Sequence, residues 1–451
     1  MFSRITIIAL IMAFFQCHSA SIMQLIYDHD LPTALKSFEV TSEVSPEEQQ
    51  QTEWCVMIYS SLEGGEPLET FFIQELVDML DVSLEKFVHV VAQVDYRHCH
   101  NLQSKRYCLA DGKLQVRAVL PNQNMGDPAV FADFLTWAMQ YPAKHRLLFI
   151  QGHGTGVLTT SGPGSFEKSR SFGIDYGNND SLSMSDASSC LQKVLGDKKI
   201  DVLAFRSCLM NGIECATMFS SFFDYMIATE TTQKAGFSKP KQREDFFDTF
   251  FLDELKRRNG IMEPLEMATA VYESIRNTNM ILVNGMPGAQ FEISCWDLSR
   301  LRSTIPDFRE LTDCLTARLS APGADLRRDL AEVRTGCPLF YEYSSGKCAY
   351  VDLESLLSGL EMQAASSTDR ASTDFGRQIG AIKDRISAGL KNAALKHCDN
   401  FHQVDPGFAT SILLLPLSSS EAEIYQDKIA PEYSELDFNK ETGWSGFLNS
   451  L

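Results

Sequence analysis

Basic residues are scarce in this chain: 40 lysines and arginines stand against 59 aspartates and glutamates over 451 residues, a formal net charge of −19. No stretch concentrates them, and affinity for a phosphate backbone needs such clusters, so a nucleic-acid partner is excluded. Beyond the first twenty residues no uncharged run approaches the ~18 residues needed to cross a bilayer, so no stable membrane insertion is expected of the mature chain. Also missing are the Gly-x-Ser-x-Gly elbow of serine hydrolases, the third glycine of a dinucleotide fingerprint and the Gly-Lys-Ser or Gly-Lys-Thr of a phosphate loop. No repeat of fixed period occurs. What is present is a globular composition, 44% hydrophobic, long enough for two or three units of roughly 100 to 200 residues.

Arg4 precedes an apolar run from Ile5 to Phe15, and the small residues Ser19 and Ala20 follow Gln16, Cys17 and His18. A basic start, a short hydrophobic stretch and a small-residue cut site read as a signal peptide over 1–20. The mature protein is then secreted or periplasmic; the alternative is a lipid anchor through Cys17. Cleavage removes Arg4 and takes the net charge from −19 to −20. Of twelve cysteines, loss of Cys17 leaves an odd number in a compartment where thiols pair, so disulfides are expected with one thiol left over. Cys99 and Cys108 are close enough to staple a hairpin, while Cys314, Cys337, Cys348 and Cys398 fall together in the last third. His98, Cys99, His100 and Cys108 also offer zinc donors, but without a Cys-x-x-Cys arm a disulfide or a plain surface loop fits better. No metal site is assigned.

Between 21 and 52 the chain is polar, a linker or pro-segment. From Trp54 short apolar runs alternate with amphipathic stretches, the signature of β-α-β units and a parallel sheet: the fold class is α/β. Val56 to Tyr59, Val88 to Val94, Leu147 to Ile150, Val202 to Phe205 and Tyr225 to Ala228 read as buried strands, and Leu68 to Leu80 and Pro128 to Met139 as helices. The organisation expected is a first domain over 53–255 and a second, smaller α/β unit over 256–451. In the latter, strands return at Phe291 to Trp296, Ala349 to Val351 and Ser411 to Leu415.

Two strand ends carry chemistry. Leu147 to Ile150 breaks into Gln151-Gly152-His153-Gly154-Thr155-Gly156, and Val202 to Phe205 breaks into Arg206-Ser207-Cys208-Leu209-Met210. In parallel α/β sheets the ligand crevice lies outside the carboxyl ends of the strands, so His153 and Cys208 are expected to share it. The stretch Leu209 to Phe219 reads as a helix with Cys208 at its N-terminus, where the dipole and a neighbouring imidazolium favour the thiolate over a thiol of pKa about 8.5. Backbone N–H groups of Gly154 and Cys208 are placed to hold an oxyanion, each worth about 3 kcal/mol. His153 is the acid for a departing amine.

The text around these strand ends resembles the clostripain family of cysteine endopeptidases, relatives of caspases, legumains and gingipains. The resemblance runs from Trp54 to the C-terminus. It includes Trp54 to Tyr59, Val90 to Asp95, Asn124-Met125-Gly126-Asp127-Pro128, Trp137-Ala138, Tyr141-Pro142-Ala143, Asp180 to Met184, Cys208-Leu209-Met210, Glu214 and Ala228-Thr229-Glu230. Further on come Cys295 to Leu298, Val351-Asp352-Leu353 and the tail Gly443 to Leu448. It implies a caspase-like, mostly parallel sheet flanked by helices, a Cys208–His153 dyad, and a protein or peptide substrate. Maturation by internal cleavage occurs in the family, and Thr159 to Phe172, rich in glycine and serine, suits it. Calcium dependence also occurs, and Asp175, Asn178, Asn179 and Asp180 offer oxygen donors, although a polar turn explains the same letters. One departure matters. Where the family usually has an aspartate two residues before the nucleophile, selecting arginine or lysine, this chain has Arg206. A guanidinium there weakens or inverts basic specificity, unless it pairs with a local acid such as Glu230. The departure also keeps open a catalytically inactive binding or structural protein on the same fold.

Overall fold

A computed structural model describes residues 39–40, 49–62, 88–96, 104–110, 113–157, 171–232, 249–284, 290–342, 348–366, 368–402, 404–414, 421 and 425–451. The expected signal peptide with Cys17, the helix Leu68 to Leu80, the cluster of His98, Cys99 and His100, and all but the end of the Thr159 to Phe172 segment lie outside these residues.

The strands in chain order are β1 (Glu39–Val40), β2 (Thr52–Ser61), β3 (Val88–Asp95), β4 (Lys105–Ala110), β5 (Lys113–Val119), β6 (Ala143–Gln151), β7 (Phe172–Asp175), β8 (Asp180–Leu182), β9 (Ile200–Arg206), β10 (Phe223–Ala228), β11 (Glu292–Asp297), β12 (Leu339–Glu342), β13 (Cys348–Asp352), β14 (Ala394–Asp399) and β15 (Ser411–Leu413). Ten form one sheet in the order β1-β5-β4-β3-β2-β6-β9-β10-β11-β14. Its middle, β3-β2-β6-β9-β10, is parallel throughout, and all five of these strands fall where the apolar runs place them. β2 is buried along nearly its whole length, as a strand covered on both faces must be.

Alternate residues serve opposite layers. Met57, Leu148, Ile150, Leu203 and Phe205 join one core, with the helices Pro128–Ala138, Met184–Leu195 and Ile213–Phe219 over them. Val56, Leu147, Phe149, Val202 and Ala204 join the other, under the helices Thr249–Arg257 and Pro264–Asn284. The first of these helices starts where its chemistry dictates: Pro128 needs no N–H partner at the first turn, and Asp127 caps it by accepting from Ala129 N at 2.8 Å.

β11, from beyond residue 256, adds antiparallel to β10, and β14 antiparallel to β11, so that both extend the sheet of the first part. The smaller sheet β12-β13-β15 lies in the same hydrophobic core as β6 and β9 through Phe340, Val351, Ile412 and Leu413. Glu214, buried in the helix Ile213–Phe219, accepts from Leu413 N at 2.9 Å and Tyr433 Oη at 2.8 Å, and Trp444 Nε1 donates to Leu413 O at 2.9 Å. The C-terminal tail is thereby tied to the first part. Burial pushes the Glu214 carboxyl above its ordinary range. Among the described residues no helix is long and apolar enough to cross a membrane.

Candidate active site

β2, β6 and β9 run parallel and in register, so that Ser60, Gln151 and Arg206 lie side by side at their carboxyl ends. The chain leaves β2 toward β3 on one side and proceeds from β6 to β9 on the other. The order therefore reverses between β2 and β6, and a crevice opens there. His153 and Cys208 each lie two residues beyond this row, both half-buried.

Glycine makes the approach of the two loops possible. Gly152 takes φ +134°, with its backbone against Ser61; Gly152 N donates to Arg206 O at 3.3 Å. At Gly154 a Cβ would lie 2.5 Å from the Cys208 carbonyl oxygen and 3.2 Å from its nitrogen. The peptide after His153 thus rests directly on the peptide of Cys208. A side chain would push them apart.

Each loop is then pinned from behind. Thr155 N donates to Ser171 O at 2.9 Å, Tyr350 Oη donates to Thr155 O at 2.8 Å, and Val157 N donates to Tyr350 Oη at 2.6 Å. The cysteine loop is fixed by Leu209 N to Thr231 O at 3.2 Å and Asn211 N to Thr229 O at 3.0 Å. Asn211 Nδ2 donates to Ala409 O at 2.8 Å and Glu292 Oε1 at 3.0 Å, and Trp296 Nε1 donates to Asn211 Oδ1 at 2.7 Å. Leu209 sits at φ +62°, an uncommon conformation for a residue with a side chain. The ring of His153 meets Tyr176 edge-on, centroids 5.5 Å apart. Nothing in the sequence singled out Tyr176 or Tyr350.

The helix expected from Leu209 begins only at Ile213. With Leu209 in the left-handed region and Asn211 N–H bonded to Thr229, residues 209 to 212 form a turn that joins the end of β10. Cys208 is therefore five residues away from the helix start, and the helix dipole does not act on its sulfur, because that field fades within the first turn.

Arg206 is buried at the end of β9, its guanidinium 4.3 Å above the Phe149 ring. It shares the face of Ala204 and Val202, turned toward the helices after residue 249. Glu230 does not join it. That side chain is fully buried, its two carboxylate oxygens accept no hydrogen bond, and its N–H donates to Glu292 Oε2 at 2.6 Å. Burial, with the charges of Asp352, Glu292 and Asp399, raises the Glu230 carboxyl far above the usual range. The pairing of Arg206 with Glu230 is not formed.

Cys108, Cys314, Cys337 and Cys398 keep their thiols, and among the described residues no disulfide is formed, a correction to the expected framework. Cys108 lies buried on β4 with its Sγ donating to Leu109 O at 3.7 Å, and Cys314 is buried in the helix Ile305–Leu319. Burial pushes Cys55 and Cys337 up to about 12 and Cys314 to about 11, which leaves them poor nucleophiles at neutral pH. In the loop of the calcium reading, Asp175 is buried and accepts from Asn178 N at 2.8 Å, Asn178 Nδ2 at 3.0 Å and Met125 N at 2.9 Å. Asp180 accepts from Asn124 Nδ2 and Ser181 N. These oxygens hold a polar turn together.

The clostripain-family sequence model matches residues 62–450. No curated protein matches the chain. Among solved structures it is similar to an inactive zymogen C11 protease from Parabacteroides distasonis, at 14% identity and a TM-score of 0.56, covering 88% of this chain and 99% of that one. It is similar also to a secreted C11 cysteine protease from Bacteroides thetaiotaomicron, at 12% identity and a TM-score of 0.57, covering 87% and 99%. A C11 protease of that organism in complex with an irreversible peptide inhibitor matches at 15% identity and 0.54, again over 87% and 99%. These structures share the fold, and the family match spans nearly the whole sequence: the chain belongs to the clostripain family and is a cysteine endopeptidase.

Proposed function

We propose that Cys208 and His153 form the catalytic dyad of an exported endopeptidase. Cys208 Sγ attacks the scissile carbonyl carbon as thiolate, and the N–H groups of Gly154 and Cys208 take up the charge on the oxygen. His153 passes its proton to the leaving amine, and a thioester remains. Water, deprotonated by His153, then cleaves the thioester and restores the thiol. One observation carries this reading: the Gly154 peptide rests on that of Cys208, across adjacent parallel strand ends. The test is labelling of the purified chain with a peptidyl acyloxymethyl ketone, beside Cys208→Ala and His153→Ala. Covalent labelling of the parent and its loss in both variants support the dyad; equal labelling of Cys208→Ala overturns it.

The finer parts of the proposal concern specificity, processing and location. A buried, permanently charged Arg206 two residues before Cys208 removes the acidic determinant for basic substrates. Cleavage after neutral or acidic residues is expected, and profiling with peptides that differ only before the scissile bond tests it; strong cleavage after arginine overturns it. Thr159 to Phe172 is the proposed maturation site, and residues 1–20 the signal for export. That one similar protease is secreted and another an inactive zymogen accords with both.

A further inference from the structure

Away from the crevice, where β14 leaves the sheet, the segment His397-Cys398-Asp399-Asn400-Phe401-His402 folds its polar side chains onto one point. Asp399 Oδ1 is held by the backbone N–H groups of Phe401 and His402 at 3.0 and 2.9 Å. Its other oxygen, Oδ2, lies 2.7 Å from His397 Nε2 and 2.9 Å from His402 Nδ1. The three donor atoms all fall within 4.8 Å of one another. Each ring is also oriented from its far nitrogen: His402 Nε2 is 3.1 Å from Asp352 Oδ1, and His397 Nδ1 is 3.2 Å from Ser294 Oγ. Carboxylate or hydroxyl partners on the outer nitrogen are how proteins aim imidazoles at a metal.

A second observation points the same way. Beneath the histidines lie Glu230, Glu292 and Asp352, all fully buried. Neither carboxylate oxygen of Glu230 nor Oδ2 of Asp352 accepts a hydrogen bond. Glu292 links them to the cluster: its Oε2 accepts from Glu230 N at 2.6 Å, and its Oε1 lies 3.9 Å from His397 Nδ1. Two imidazoles packed among buried carboxyl oxygens that accept no hydrogen bond make an acceptor-rich pocket of the kind a dication occupies. One further oxygen, Asp405 Oδ1, lies 3.9 Å from His397 Nε2 on a side chain 75% exposed, which provides a way in from solvent.

We infer that His397, Asp399 and His402, completed by Asp405, form a binding site for a divalent metal of the zinc class. Two imidazole nitrogens with carboxylate oxygens suit zinc or cobalt rather than calcium or magnesium, which prefer oxygen alone. Tetrahedral zinc holds its ligand atoms about 3.3 Å apart, so the two rings withdraw from Asp399 by roughly half an ångström as the ion enters and their inner nitrogens give up any proton they carry. The role is a clamp. The loop after His402 ends at Ala409 to Ser411, which hold Asn211 and with it the turn of Cys208.

The test is a zinc titration of the chelator-stripped full chain by calorimetry, with elemental analysis, a thermal melt and the visible spectrum of the cobalt form. One ion per chain, a raised melting temperature and a tetrahedral cobalt spectrum are expected. Cys208→Ala retains all three, because the thiol and His153 take no part. His402→Gln binds at least about a hundredfold more weakly and loses the thermal shift. If that buried variant does not fold, the surface variant Asp405→Ala decides: roughly tenfold weaker binding supports the site, and unchanged affinity overturns it. Zinc uptake that disappears in Cys208→Ala, or none by the parent chain, also overturns it.

Discussion

At the carboxyl ends of β6 and β9 the backbone is tightly specified and the side chains of interest are left half-open; at the ends of β11 and β14 the reverse holds. Around His153 and Cys208, glycine at 152 and 154 and the left-handed Leu209 bring two peptides into contact, while the two residues themselves stay half-buried. Around Glu230, Glu292, Asp352 and Asp399 the side chains are sealed in, with Glu292 held by Asn211 and the Glu230 N–H and Asp399 held by His397 and His402. The difference teaches where each region is vulnerable. The first tolerates loss of a side chain but not of backbone proximity; the second loses stability with any one partner.

The sharpest way to break this contrast is to truncate the two side chains of the proposed dyad. Cys208→Ala and His153→Ala are each expected to lower peptide hydrolysis on the order of 10⁴-fold or more, with melting temperatures close to the parent's, as calorimetry checks. A large drop in melting temperature would place these residues in the structural class instead. Next in size is Gly154→Ala. The added carbon, 2.5 Å from Cys208 O, forces the loops apart, and a misplacement of that kind costs about 10²-fold in turnover. Steady-state kinetics should show the loss in kcat, while far-UV circular dichroism stays unchanged.

How much of this was legible in the sequence follows from how local each feature is. The five parallel strands and the helix from Pro128 were readable because an apolar run, or a cap with its proline, is a contiguous signal. The His153 and Cys208 turns were readable for the same reason: an apolar run breaks into Gly-His-Gly or Ser-Cys-Leu within a few letters. Periodicity could not place the start of the helix after Cys208, because Leu209 keeps the amphipathic pattern while its backbone turns left-handed and its neighbours bond to Thr229 and Thr231. Arg206 shares the parity of Ala204 and Val202, which was visible; that this parity faces Phe149 was not. Glu230, Glu292, Asp352 and the His397 to His402 segment come from four distant stretches, so their convergence has no contiguous trace beyond the His-x-Asp-x-x-His spacing.

A smaller effect is expected at the brace behind the histidine loop. Tyr350→Phe leaves Thr155 O and Val157 N without their buried partner, which costs about 1 to 3 kcal/mol. Part of that loss should appear as a lower melting temperature and part as a modest fall in kcat, since the loop carries His153. If only stability falls, the brace supports the fold and not the placement of the imidazole.

The smallest effect sharpens the comparison from outside both regions. Glu432, in the helix Ala430–Tyr433, is a largely buried carboxylate. Burial, with the charge of Asp186 adding to it, pushes its carboxyl from 4.5 up to about 7. A carboxyl raised on folding favours the folded state while it is protonated, so its contribution is fully present below pH 4.5 and is lost as pH rises through about 7. Unlike those of Asp399, its carboxylate oxygens accept no hydrogen bond among the described residues, so the loss persists at higher pH. Glu432→Gln, which keeps the neutral shape at every pH, should therefore melt about 2 to 4 °C higher than the parent at pH 8 and at nearly the same temperature at pH 5. A difference of equal size at both pH values would mean that the substitution acts through packing and not through the buried charge of Glu432.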